Sequence, residues 1–371
     1  MNFVVNSTIF KQALHVVKGA WSNNQNGPAI LRCVKFEMHE GALRLMCTDT
    51  NLEIVHDVDV EWESVPTENA SYGIPGEEIF RLFDLLPEDT RVNIDIDPVI
   101  FNITVSLAFG EYEMMGQNGE HFPNPIYEIV KKDAKETVAF DLSRFHAGTD
   151  FVKDTTSKDL SRPGMNYVLL DSKNPCAVAT TGTRIAKYDF GNPLVELQQS
   201  LMIDPKIIEN IVSSNSTMSC NVTYDKQRIS FAFGNTKVSG LTTSANFPKY
   251  QSIFEKDVSA TGRFNRQDMI RALRIVRAFY NESRLITLSA SDDDMLCKIS
   301  ATDMDSGNNA ETSIDMNIDG SFSVMFNADI LRDTINVFDT DTLLIKAADP
   351  GPYFIGLPES DHMISAIMPI S

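Results

Sequence analysis

The chain has 371 residues, 43% of them hydrophobic and 22% charged, with 32 Lys and Arg against 51 Asp and Glu for a formal net charge of −19. This is the composition of an ordinary globular protein long enough for two or three domains. No run approaches the roughly 20 apolar residues of a membrane span, the N-terminal MNFVVNSTIFKQALHVV lacks the charged-then-apolar layout of a signal peptide, and five scattered cysteines (Cys33, Cys47, Cys176, Cys220 and Cys297) without a CxxC pair argue against a disulfide framework or a zinc site and suit a reducing cytosol.

In chain order, the segment from Val4, VVNSTIFKQALHVVK, reads as a helix. ALRLMCTDTN (42–51) follows as a hairpin-like stretch, and HDVDVEWE (56–63) places acids on strand and turn. IPGEEIFRLFDLLP (74–87) reads as a second helix. Val92, Ile94 and Ile96 then alternate with Arg91, Asn93, Asp95 and Asp97, the period-2 pattern of a half-buried strand. HFPNP (121–125) closes this stretch before the polar joint EIVKKDAKE. The same order returns twice: AFDLSRFHAGTDFVK from Ala139, CAVATTGTR, IDPKIIENIVSS (203–214) and NFPKY; then, after EKDVSATG, RFNRQDMIRALRIVR from Arg263, LCKISATDMD, FNADILRDTINVF (326–338) and IMPIS. With Val5, Phe140 and Phe264 in register, Phe10, Phe145 and Met269 coincide on the buried side, and Lys18, Lys153 and Arg277 on the polar side. Pro123, Pro248 and Pro369 close the copies at near-equal spacing. Such internal self-similarity predicts an α+β protein of three similar domains, 1–128, 129–256 and 257–371, each with two helices packed on antiparallel sheets. Three such units in a row can form a curved array with the cationic helices inside and the acidic sheets outside.

The charge is unevenly placed. Six of the 15 arginines fall within residues 263–284, against two acids, Asp268 and Glu282. At 100° per residue, a helix over 265–280 puts Met269, Ala272, Leu273, Val276, Phe279 and Tyr280 on one face and Arg266, Gln267, Arg271, Arg274 and Arg277 on the other, with Asn265 as N-cap. A solvated face normally mixes signs. A one-sign stripe in so acidic a chain points to a polyanionic partner.

In the order and spacing of MNFVV…FKQAL, GALRLMCTDTNLEI, FPNP, VATTGTRIA, FPKYQSI and IMPIS, the chain resembles over its whole length the bacterial DNA polymerase III β subunit, the replicative sliding clamp. The resemblance implies a head-to-tail homodimeric ring with helices lining the hole and sheets outside. Such a ring is non-catalytic and needs no cofactor. It encircles duplex DNA without sequence preference and works in the cytoplasm at the nucleoid. Its partners are the catalytic subunit of DNA polymerase III, the clamp loader and other proteins carrying a clamp-binding motif. The helix positions that would face DNA are Lys11, His15, Lys18 and Arg81 in the first copy, Lys153 and Lys206 in the second, and Arg266, Arg271, Arg274 and Arg277 in the third. The peptide pocket would be formed by Met165, Thr180, Gly182, Thr183, Arg184, Ile185, Pro248, Ile253, Ile367, Met368, Pro369 and Ile370. The subunit interface would involve Tyr112 on a first-domain strand and Ala278 and Phe279 at the end of the third-domain helix.

The chain departs from the family pattern in places. The second helix of the first copy, GEEIFRLF, carries Glu77 and Glu78 beside Arg81, and the loop SNNQNGP lacks an arginine. Thr181 and Thr183 replace the usual Asp and His, Ser252 stands where an arginine is common, and Ser371 takes the place of a basic-apolar tail. Other chemistries are weakly marked. SASDDDM (289–295) with Asp303 and Asp305 clusters carboxylates that suit Mg²⁺ or Ca²⁺, but without EF-hand spacing it reads as a polar turn. TTGTR lacks the P-loop glycine and lysine spacing. The six histidines form no HxxxH pair, and no nucleophile–base constellation is present. The competing reading is a clamp-fold scaffold that binds proteins and does not encircle DNA.

Overall fold

A computed structural model describes the chain except residues 65–69, 134–136, 195, 196, 198, 212–218, 280–283, 294, 303–306, 349 and 371. The described residues form eight α-helices: α1 Ser7–Lys18, α2 Gly76–Leu85, α3 Ile126–Asp133, α4 Leu142–Lys153, α5 Pro205–Asn210, α6 Gln251–Phe254, α7 Arg266–Val276 and α8 Ala328–Asn336. All strand pairings are antiparallel. The order strand, helix, strands, helix, three strands occurs three times.

The helix starts explain part of that recurrence. Asn6 accepts from the N–H groups of Thr8 (2.9 Å) and Ile9 (3.3 Å), and Asn265 from those of Gln267 (2.9 Å) and Asp268 (3.1 Å). Asp141 accepts from Ser143 N–H at 3.0 Å. The expected register of Val5, Phe140 and Phe264 thus puts a short capping side chain at the same place in all three copies, where it satisfies donors that the first turn leaves unpaired.

The chain packs as two compact units, Met1–Ser143 with Lys206–Ser244, and Arg144–Pro205 with Ala245–Ser371. The first unit holds two sheets. One is five-stranded, in the order Glu61–Ser64, Asn2–Asn6, Arg91–Ile96, Asn102–Leu107, Gly110–Met115. The other is nine-stranded: Leu52–Val58, from the first third of the chain, pairs with Thr236–Leu241 from the middle third and carries the sheet on without a break. Between α1 and the sheets lies an aromatic core. The Phe10 ring centroid is 4.9 Å from that of Phe83 and 5.8 Å from that of Phe36, edge-on to the latter. The expected alternation at Val92, Ile94 and Ile96 is present, with all three buried.

The second unit holds one twelve-stranded sheet. In it Arg184–Asp189, from the middle third, pairs with Ser360–Ile367, near the C-terminus. Phe145 and Met269 are buried as their register with Phe10 requires. α7 ends at Val276 and a single 3-10 turn, Arg277–Phe279, follows. That early stop corrects the expected apolar face. Met269, Ala272, Leu273 and Val276 are buried, but the tighter turn swings Phe279 out to 42% exposure. Tyr280, placed on the same face, lies outside the described residues.

One buried charge in the first unit has a pH consequence. Glu53, 1% exposed, accepts from the N–H groups of Ile126 (2.8 Å) and Tyr127 (3.1 Å) at the start of α3. Burial nevertheless pushes its carboxyl up to about 7 from 4.5. The folded state therefore favours the protonated form. That contribution is fully present below the unfolded value and is lost as pH rises through 7. The stability advantage of the wild type over Glu53→Gln is expected to shrink by about 2 kcal/mol between about pH 5.5 and 8. Urea unfolding at the two pH values checks it, and a pH-independent difference would contradict it.

Candidate nucleic-acid interface and peptide groove

In the first unit, Lys11, His15 and Lys18 lie along one side of α1. All three reach a single carboxylate on α2: Asp84 stands 3.5 Å from Lys11 Nζ, 2.8 Å from His15 Nε2 and 3.7 Å from Lys18 Nζ. Above all the His15 hydrogen bond, and then the Lys18 charge and a Lys11 hydrogen bond, hold the Asp84 carboxyl below its usual range. Lys18 also sits 5.1 Å from the centroid of the Phe80 ring. Arg81 is exposed, and Lys206 lies 3.8 Å from Asp49.

In the second unit, Lys153 pairs with Asp150 one turn back on α4. Helical phase alone placed Arg266 with the outward cations of α7, but it is partly buried. Its guanidinium donates to the carbonyls of Ile335 (3.2 Å) and Asn336 (3.3 Å) and so closes the C-terminal end of α8. Arg271, 70% exposed at its side chain, has Asp268 at 3.0 Å. Arg274 and Arg277 are exposed. Among the described residues, the strongest outward cations on α7 and the turn after it are thus Arg271, Arg274 and Arg277.

The predicted pocket residues come together in the second unit, around the turn Thr180–Arg184. The Thr180 hydroxyl donates to Arg184 O at 2.8 Å and accepts from Gly182 N–H at 3.0 Å. Gly182 has φ +93, and a Cβ there would stand 3.2 Å from Arg162 Nη1 and 3.6 Å from Met165 Sδ. Only glycine combines that backbone with so close an approach. Ile185 belongs to a buried apolar cluster with Val178, Tyr250, Phe354 and Ala366, and Ile253 packs against it. Pro248 is half-buried just before Tyr250.

The C-terminal strand runs beside this turn. Ile367 pairs with Arg184 and is buried. Beyond it Met368 N–H donates to Thr183 O and Ile370 N–H to Met325 O, each at 2.9 Å. These bonds leave Met368 49% exposed and Pro369 between the two anchors. Arg184 Nη2 donates to Asp154 O at 2.6 Å, while Nη1 is buried and has no partner among the described residues. Burial keeps the Arg184 pKa below the ordinary arginine value against the pull of Asp333 and Asp154. The guanidinium is thus held in place by the Asp154 carbonyl, with one donor buried and unused.

Sequence reading missed the part played by Met325. It lies on Ser321–Asn327, whose residues alternate exposed and buried, and it is apolar at an exposed position. A cleft of about 510 Å³ opens there, lined by Val324, Met325, Pro350, Tyr353, Pro369 and Ile370. An apolar residue on the polar phase of a strand was the available signal.

Tyr112 is exposed on Gly110–Met115, an edge strand of the first unit. Ala278 and Phe279 are exposed in the turn after α7. Asp292 and Asp293 sit in a turn after Leu285–Ser291, while Asp294, Asp303 and Asp305 lie outside the described residues, as does Ser371. Among the described residues no three His, Cys, Asp or Glu side chains are grouped to hold a metal, and no helix is long and apolar enough to cross a membrane. All five cysteines are buried, and burial pushes every thiol upward, to about 11 at Cys33 and about 12 at Cys297.

No family model matches the chain. Its curated relatives include a Beta sliding clamp of Chlamydia muridarum, 24% identical over 278 residues, which cover 71% of this chain and 73% of the relative. The corresponding protein of Chlamydia trachomatis is also 24% identical over 278 residues, covering 71% of this chain and 64% of the relative. Among solved structures, the DNA polymerase III subunit beta of Pseudomonas aeruginosa superposes with a TM-score of 0.88 at 18% identity, covering 100% of both chains. That of Thermotoga maritima gives 0.87 at 17%, covering 100% of this chain and 99% of the other. From end to end, the chain has the fold of the bacterial DNA polymerase III β subunits, the β sliding clamps.

Proposed function

We propose that this chain is a DNA sliding clamp: a non-catalytic, ring-shaped homodimer that encircles duplex DNA and tethers a replicative polymerase. One observation carries the reading, namely how the repeat joins to itself. Leu52–Val58 pairs with Thr236–Leu241, and its counterpart in the second copy, Arg184–Asp189, pairs with Ser360–Ile367. The same strand of one copy thus takes the last strand of the next. In the third copy the counterpart is the N-terminal half of Asn309–Asp319, which pairs on one side with Leu296–Thr302. In the first copy the third strand after α2 is Gly110–Met115, paired with Asn102–Leu107. Both are open edges among the described residues, and a free edge invites a strand. A second copy, turned head to tail, supplies each edge with its mate and closes a ring.

On this reading the three domains are 1–128, 129–256 and 257–371, and the two packed units follow the sheets that cross their boundaries. Tyr112 lies on one joining edge, with Ala278 and Phe279 near the other. Arg271, Arg274 and Arg277, with Lys11, His15, Lys18, Arg81, Lys153 and Lys206, attract the duplex by displacing its counterions. Phosphate contacts read no sequence, so the ring slides. The groove at Gly182, Arg184 and Met368 takes short peptides from the polymerase catalytic subunit, the clamp loader and other partners, with apolar anchors in the cleft and a polar group on Arg184. Its place is the cytoplasm, on the nucleoid. Light scattering at micromolar concentration is expected to give twice the 41.4 kDa chain mass. A particle of one chain mass counts against the ring.

A further inference from the structure

We propose that Asp84 is a built-in counter-ion that occupies the place of a DNA phosphate on α1 and keeps the first copy's cations from the duplex until a phosphate displaces it. The inference rests on the clamp reading above. Lys11, His15 and Lys18 are spaced four and three residues apart, so they lie on one side of α1. A row with that spacing would ordinarily offer separate contacts to successive phosphates. Here all three end within 4 Å of the same carboxylate, and Lys11 Nζ also lies 3.3 Å from the Asp84 carbonyl. Asp84 stands on α2, packed beside α1, so the pairing is made between two fixed elements. Its side chain is 37% exposed and open to exchange with an anion from solution.

The contrast with the third copy is specific. The position of Lys18 corresponds to Arg277, which is exposed, and among the described residues only Arg271 of the outward trio has a carboxylate at ion-pair distance, its own neighbour Asp268. The same fold thus holds one helix whose basic side chains stand apart and one whose basic side chains are drawn together on a single carboxylate of the neighbouring helix. A phosphate that reaches α1 must replace Asp84 at Lys11, His15 and Lys18, so the net gain in counterion release is lowered. Two consequences follow: weak hold on the duplex by the first copy, and less drag on sliding.

The test is Asp84→Asn, which keeps the shape and a hydrogen-bonding oxygen but removes the charge. The probe is a duplex whose binding is followed as a function of salt, with Arg271→Ala/Arg274→Ala/Arg277→Ala measured in parallel and circular dichroism confirming that each variant is folded. Asp84→Asn is expected to bind more tightly, with a salt slope steeper by about 1 to 2, since each phosphate gained adds about 0.9. Adding Lys11→Ala to Asp84→Asn should take back part of the gain. An unchanged slope in Asp84→Asn alongside a reduced slope in the arginine variant overturns the inference and leaves the clamp reading standing. If neither variant moves, both the DNA-facing assignment and the inference are wrong.

Discussion

Replacing Arg271, Arg274 and Arg277 together with alanine is expected to flatten the salt dependence of duplex binding by about three units of log–log slope, the largest change available from one helix. The three guanidinium groups point away from Met269, Ala272, Leu273 and Val276, which carry the packing of α7. Asp268 is the nearby acid, and Arg266, which closes the end of α8, is left in place. The unfolding midpoint should therefore stay within the small range of surface substitutions. Alanine also raises helix propensity slightly at the two positions inside α7, so a collapse of the fold would not be the expected failure. Equal slopes for wild type and variant would place this face away from the duplex.

Removing residues 368–371 is expected to abolish binding of a clamp-binding peptide, with a loss of about 2 kcal/mol or more, roughly 30-fold in Kd. The cut takes away exposed Met368, the backbone direction fixed by Pro369, and the two tail bonds to Thr183 and Met325. It spares Ile367, which remains paired with Arg184 and Tyr353 inside the sheet. The dimer should survive, because its proposed edges, Gly110–Met115 and Asn309–Asp319, lie elsewhere on the chain. Arg184→Ala should weaken the same peptide by removing the planar cation beside the Thr180–Arg184 turn. Calorimetric titration of one peptide into wild type, truncation and Arg184→Ala reads all three. A truncated protein that binds as well as wild type would make the groove assignment wrong.

Much of this was legible in the sequence because the repeat is written in side-chain phase. Phe10, Phe145 and Met269 had to be buried if their copies shared a helix, and they are. Asn265 was recognisable as a cap, and Asn6 and Asp141 follow from the same register. Three features were not legible, each for a physical reason. Arg266 shares the helical phase of Arg274 and Arg277, and only the tertiary approach of the end of α8 makes it a cap. The convergence of Lys11, His15 and Lys18 on Asp84 depends on the packing of α2, which no spacing within α1 reveals. Phe279 was assigned to the apolar face by extending a regular helix beyond Val276, where the chain tightens instead. The sheet continuity that divides the middle third between two packed units is likewise a matter of strand edges, which alternation alone does not pair.

The most direct measurement of the central claim is retention on DNA of different topology. The protein is assembled on nicked circular duplex by a cognate loading system, separated from free protein by gel filtration, and the circle is then cut once with a restriction enzyme. A closed ring held by topology remains with the circle and leaves the linear product by sliding off its ends, at salt concentrations that suppress direct phosphate binding. Equal retention on circular and linear DNA, or none on either, would contradict the account.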